Sequence, residues 1–170
     1  MFQATQPYSK PSVFRTLTGV EYFAFEEDFV EQNIRCIPMI VRFKMDAAGI
    51  KLKLSEWSKF TTNEKIQLAI MACTTKEEAG LYHDFLAGIV KSHTDHPATP
   101  LVIDHDPPWH PKEDIPEPVL ERAKEHACNM DIEDWSKLTN LQRFALLKLC
   151  RTGHESKNFI KALQEFKLLP

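Results

Sequence analysis

Residues 91–114 read KSHTDHPATPLVIDHDPPWHPKED and gather His93, Asp95, His96, Asp104, His105, Asp106 and His110. Imidazole and carboxylate suit zinc or iron, which take three or four donors at about 2.0–2.2 Å. Metal-binding helices fix such donors at i, i+4, as in HExxH. Here prolines at 97, 100, 107, 108 and 111 exclude a regular helix. The backbone pattern does not converge the donors, so solvated loop residues are the plainer reading and no metal ligand is assigned.

A second set, Gly153-His154-Glu155-Ser156-Lys157-Asn158, offers an imidazole base beside an orienting carboxylate. Glu155, however, stands three residues after Thr152, the spacing of a helix cap, and Glu77 stands likewise after Thr74 with no histidine. Ser58 and Ser136 each follow a tryptophan, which fits packing better than nucleophilic attack. GxSxG, P-loop and GxGxxG motifs are missing, and five glycines cannot build a phosphate cradle. No catalytic or cofactor-binding residue is assigned.

The remaining polar candidates concern contact. Arg42, Lys44, Arg143 and Arg151 stand on strongly apolar stretches. Either they snorkel or pair with carboxylates at 26–28 and Asp46, or they form a docking surface for an acidic partner segment. Glu26-Glu27-Asp28 beside three phenylalanines reads as an amphipathic wrap or as an acidic contact edge. Trp109, alone in a proline-rich loop, contacts a partner or pins the loop down.

The elements that must position these groups are clearest at residues 135–166. Thr139 with Gln142, and Thr152 with Glu155, fit capping boxes. Leu141, Phe144, Ala145 and Leu149 fall at helical spacing, and Leu146 and Leu147 widen the stripe. Gly153 is placed to stop that helix. Phe159, Ala162, Leu163 and Phe166 mark one face of the next. A helix apolar on most of its circumference is buried, so this pair belongs to the core.

The pattern occurs twice, 78 residues apart. Glu56-Trp57-Ser58-Lys59-Phe60-Thr61 lies over Asp134-Trp135-Ser136-Lys137-Leu138-Thr139, and Lys65 falls over Arg143. Thr61 with Glu64, and Thr74 with Glu77, repeat the caps, and Ile37-Pro38 lies over Ile115-Pro116. Such coincidence points to an internal duplication. It also decides residues 37–45: alternation there would allow a strand, but the counterpart at 119–130 reads as a helix. Each copy is then a proline-opened helix, a turn carrying the tryptophan and a capped pair.

The chain therefore reads as an all-α single helical domain over residues 20–170, preceded by a loosely ordered arm at 1–19. Repeat one spans 37–90, a linker 91–114 and repeat two 115–166. A short extended segment near 22–25 is the remaining option. With 170 residues the chain can bury a real core. Its net charge of −3 and lack of a basic stripe disfavour nucleic acid. Cys36, Cys73, Cys128 and Cys150 show no CxxC spacing, and a reducing cytoplasm is the simple expectation. Residues 1–14 hold no apolar run of the signal-peptide kind, and no stretch approaches the ~20 apolar residues that span a bilayer.

Three stretches together, FAFEEDF (23–29), IPMIVRFKMDAAGIKLKLSEW (37–57) and QRFALLKLCRTGHESKNF (142–159), resemble the nitrate reductase-associated proteins. These are a bacterial family found beside assimilatory nitrate reductase genes. The resemblance implies a cytoplasmic, non-catalytic accessory role, with nitrate reductase or its maturation machinery as partner. It supplies no catalytic residue, and residues 91–114 match nothing in the family's pattern. The matching positions Phe25, Glu26, Asp28, Arg42, Lys44, Asp46, Arg143, His154, Glu155 and Asn158 become candidates for fold or partner contact. The candidate contact set is Glu26, Asp28, Arg42, Lys44, Asp46, Arg143, His154 and Asn158 of these, together with Trp109 from the residue-level reading. The alternative is a metal- or small-ligand-binding sensor built on the His/Asp-rich linker.

Overall fold

Pro38 has no N–H to donate and sits at φ −59°, ψ 151°, so the helix it opens, α1, runs Met39–Ala48. Gly49 ends it at φ 69° with its N–H on the Met45 carbonyl. A Cβ at Gly49 would lie 2.8 Å from Ile103 Cγ1, so both backbone and space select glycine. The chain leaves as β1 (Ile50–Lys51), which pairs antiparallel with β2 (Thr99–Pro100), Ile50 opposite Pro100.

Three helices follow: α2 (Leu54–Trp57), α3 (Thr62–Ile70) and α4 (Lys76–Thr94). Thr61 and Glu64 close the expected box on α3. On α4 the box sits one residue later than Thr74–Glu77. Thr75 accepts the Glu78 N–H, while Glu78 takes the N–H groups of both Thr75 and Thr74. The run TTKEE offers either register, and the later one lets a single carboxylate satisfy two amides. α4 also continues into the stretch expected to be helix-free, ending at Asp95 with φ 61°. The prolines begin only at 97, two residues past that end, so the exclusion holds from there onward.

The second half contains α5 (Glu117–Glu125), α6 (Ile132–Lys137), α7 (Asn140–Leu149) and α8 (Phe159–Glu165). The helix expected over 119–130 stops at Glu125. There Ala127 turns left-handed at φ 56°, and the N–H groups of Ala127 and Cys128 return to the Lys124 and Ala123 carbonyls. α7 carries the Thr139–Gln142 box as expected, and α6 is boxed by Asp131 and Asp134. Near the N-terminus, Ala24–Glu26 form a single 3₁₀ turn in place of an extended segment.

The computed structural model describes residues 17–26, 36–111, 113–151 and 157–169. The expected cap at Thr152 and Glu155 and the stop at Gly153 lie outside them. The described residues are mostly helical, with β1 and β2 the one strand pair among them.

Apolar side chains collect in two clusters with α1 between. The first holds Val41, Met45, Ile50, Trp57, Leu68, Tyr82, Leu86 and Val90. The second holds Phe23, Phe25, Met39, Val119, Trp135, Phe144, Leu149, Phe159 and Leu163. On α1, Met39 and Phe43 face the second cluster, Val41, Met45 and Ala48 face the first, and Ile40 touches both. A fully buried Val or Met side chain contributes about 1.5–3 kcal/mol, so α1 gains from each side through Met39, Val41 and Met45. The starts of α1, α2 and α3 at 39, 54 and 62 are followed 78 residues later by those of α5, α6 and α7 at 117, 132 and 140.

Candidate functional site

The candidate residues build three polar arrangements around α1. In the first, Glu26 is 5% exposed and grips two amides, Met39 N–H at 2.6 Å and Phe23 N–H at 3.1 Å. Met39 is the first residue of α1, and Pro38 brings no side-chain cap, so Glu26 supplies a distant one. Glu165, at the end of α8, takes Ala24 N–H at 2.8 Å and Phe25 N–H at 3.1 Å. Asn158, fully buried, donates its amide to the Phe25 carbonyl at 3.1 Å. Phe23 and Phe25 stack and meet the Phe166 ring. Burial pushes the Glu26 carboxyl up to about 7; the two amide bonds and Arg42 pull the other way, and Glu165 adds to the rise.

The second arrangement centres on Arg143, 3% exposed. Its Nε donates to the Trp109 carbonyl at 2.8 Å, one terminal nitrogen to the Trp135 carbonyl at 3.0 Å, and the other to Asn140 Oδ1 at 2.6 Å. The Trp109 ring packs edge-on to Phe144, 4.9 Å between centroids, and tilts against Phe43 on α1. Trp109 thus pins residues 101–111 to α7.

The third arrangement lies along α1. Lys44 Nζ donates to the carbonyls of Ala69 and Met71, at 2.5 and 2.7 Å, and so caps the end of α3. Burial holds its ammonium below the usual lysine range. Asp46 pairs with Lys148 of α7 at 2.8 Å, both about four-fifths buried at the side chain. Arg42 Nε donates to the Ile37 carbonyl at 2.9 Å. The structure thus brings Glu26, Asn158 and Arg42 to one end of α1 and Trp109 to Arg143, while Lys44 and Asp46 reach different neighbours. Asp28 and His154 lie outside the described residues.

The linker histidines disperse. His93 belongs to α4 and pairs with Glu64 at 2.9 Å, while His96 faces the Pro97 carbonyl at 3.1 Å. Asp104 accepts the Asp106 N–H, which closes a local turn. Among the described residues no three His, Cys, Asp or Glu side chains converge into a group that could hold a metal ion. None of the four cysteines, all among the described residues, forms a disulfide. Burial pushes Cys73 up to about 11 and Cys150 up to about 12, which leaves both as thiols at neutral pH.

Several structural polar residues were not singled out in the sequence. Glu165 has no local signal, because its partners are 140 residues or more away. Lys148 likewise finds Asp46 across 102 residues. Lys65 did carry one, its alignment with Arg143.

The buried polar groups mostly satisfy backbone amides and carbonyls. What faces solvent includes apolar Leu81 (66% exposed), Ile70 and Ile160 on helices and Val102 (92%) on the loop. No described helix is long and apolar enough to cross a membrane. Residues 22–166 match the family described as conserved nitrate reductase-associated protein. No curated protein and no solved structure shows a significant match.

Proposed function

The chain belongs to the conserved nitrate reductase-associated protein family, and from that premise we propose that it is a non-catalytic accessory protein of assimilatory nitrate reductase. It serves the enzyme's maturation or activity in the cytoplasm, through contact with the reductase polypeptide or its maturation machinery. The observation that carries this reading is the family match, which runs through both apolar clusters and the helix between them.

In this reading the half-buried Arg42, Lys44, Asp46 and Trp109 border the contact surface. Glu26, Arg143 and Asn158 serve it by holding the elements in place. Asp28 and His154 remain members of the proposed contact set. We also read the halves as pseudo-repeats, supported by the common 78-residue offset of three helix starts.

The test is recovery of nitrate reductase with the tagged chain from nitrate-grown cells of its own source, read by mass spectrometry. Co-recovery that weakens on substitution of the α1 basic residues supports the proposal. Clean protein carrying stoichiometric zinc or iron, lost on His105 and His110 substitution, would move the sensor reading ahead.

A further inference from the structure

Glu56 on α2 is a buried carboxylate, 2% exposed, with its two oxygens treated unequally. Oε2 accepts the Lys53 N–H at 2.6 Å. Oε1 is sealed from solvent and has no hydrogen-bond partner. The nearest cationic candidate is His96, just past α4, whose Nε2 stands 3.8 Å from that oxygen. This is beyond hydrogen-bond reach.

The other ring nitrogen explains the gap. His96 Nδ1 lies 3.1 Å from the Pro97 carbonyl oxygen. A carbonyl only accepts, so Nδ1 carries the proton. In the neutral ring Nε2 is then a bare lone pair facing a carboxylate oxygen, and the two repel. A single proton added at Nε2 reverses this and aims an N–H at an acceptor that lacks a donor. The His96 side chain is 51% exposed, so that proton can arrive from solvent.

We propose that His96 and Glu56 form a proton-operated latch that sets how firmly the chain between α4 and β2 is held against α2. Closed by protonation, the latch fixes β2 on β1 and with it the exposed loop that carries Val102 and Ile103. Open, it leaves the start of that loop held by the two-residue strand pair and by the Leu101 N–H on the Gly49 carbonyl, with Trp109 still anchoring its far end on α7. α4 packs against α2, and its last turn carries Lys91 and His93, followed by Asp95. His93 is engaged by Glu64, Lys91 and Asp95 are exposed, and Lys53 beside Glu56 is exposed as well.

Hydrogen exchange at the Leu101 amide tests the latch, with protection factors corrected for intrinsic exchange and for the pH-dependent global stability that Glu26 sets, and compared at pH 5.5 and pH 8. The native chain should show about fivefold greater protection at pH 5.5. His96→Asn should abolish the difference, and so should Glu56→Gln, which retains an oxygen for Lys53. His96 is exposed, so its variant tests the latch even if the buried Glu56 variant fails to fold. Equal native protection at both pH values, or a His96→Asn chain that keeps the difference, overturns the proposal.

Discussion

Arg143 holds its guanidinium 5.9 Å from the centroid of the Trp135 ring while donating to three separate acceptors. Earlier in the chain by 78 residues, Lys65 stands 5.3 Å over Trp57. Both cations are almost wholly buried. The difference lies in the fork: a guanidinium satisfies the Trp109 and Trp135 carbonyls and Asn140 at once, whereas an ammonium on a flexible stem cannot span that spread. Arg143→Ala is expected to cost about 3 kcal/mol in urea unfolding, since it strands buried acceptors. Arg143→Lys should recover less than half of that. Lys65→Met should stay within about 1 kcal/mol of native, because methionine keeps the stem's packing on Trp57. An Arg143→Lys chain as stable as the native one would show that the fork is dispensable.

The capping register at α4 gives a second prediction. Thr75, not Thr74, lends its side-chain oxygen to the Glu78 N–H. Thr75→Ala should therefore destabilise by about 1 kcal/mol, and Thr74→Ala by no more than a few tenths. Thermal unfolding of the two variants side by side decides it; the reverse order would place the helix start one residue earlier.

Features encoded locally were legible in the sequence, and features closed over long separations were not. Thr61 with Glu64 and Thr139 with Gln142 each rest on residues within one turn, and each forms as read. Trp57 and Trp135 could be read as packing residues because each recurs before a serine at the same place in the two copies, and both are fully buried. Glu165 could not be tied to the turn at residue 24, nor Lys148 to Asp46, since no periodicity links such partners. The early stop of α5 escaped for a different reason. Its left-handed residue is Ala127, and alanine is a helix former with no sequence signal for that conformation. Arg143 and Lys44 could be singled out as basic residues on apolar stretches, but their bonds to backbone carbonyls could not be read.

Glu26 makes stability depend on pH, and the sign follows from its raised carboxyl. In the unfolded chain the group titrates near its ordinary 4.5, and in the folded chain at about 7. The folded state therefore binds the proton more tightly. The contribution is fully present below about pH 4.5 and is lost as pH rises through about 7. A shift of this size corresponds to an effect on the order of 3 kcal/mol. Glu26→Gln should flatten this part of the stability profile, measured by urea unfolding at intervals between pH 4.5 and 8. An unchanged slope in the variant would assign the dependence to another group.

Gly80 and Gly88 sit in the interior of α4, and a Cβ at either would meet nothing within 4 Å. Glycine in a helix interior costs about 0.5–1 kcal/mol relative to alanine, and neither position has a steric reason to accept that cost. Gly80→Ala and Gly88→Ala should therefore each raise stability by about 0.5–1 kcal/mol, with the double variant close to additive because the sites are two turns apart. Differential scanning calorimetry of the three variants checks this, and a loss of stability at either site would mean that α4 bends or packs there in a way open space does not suggest. The same variants also bear on contact. Gly80 adjoins Leu81, the most exposed large apolar side chain on a described helix, and Gly88 follows it two turns later. Variants that are more stable but retain less reductase in the co-recovery assay would place the contact on this helix face. Unchanged recovery would direct the search to the basic residues of α1.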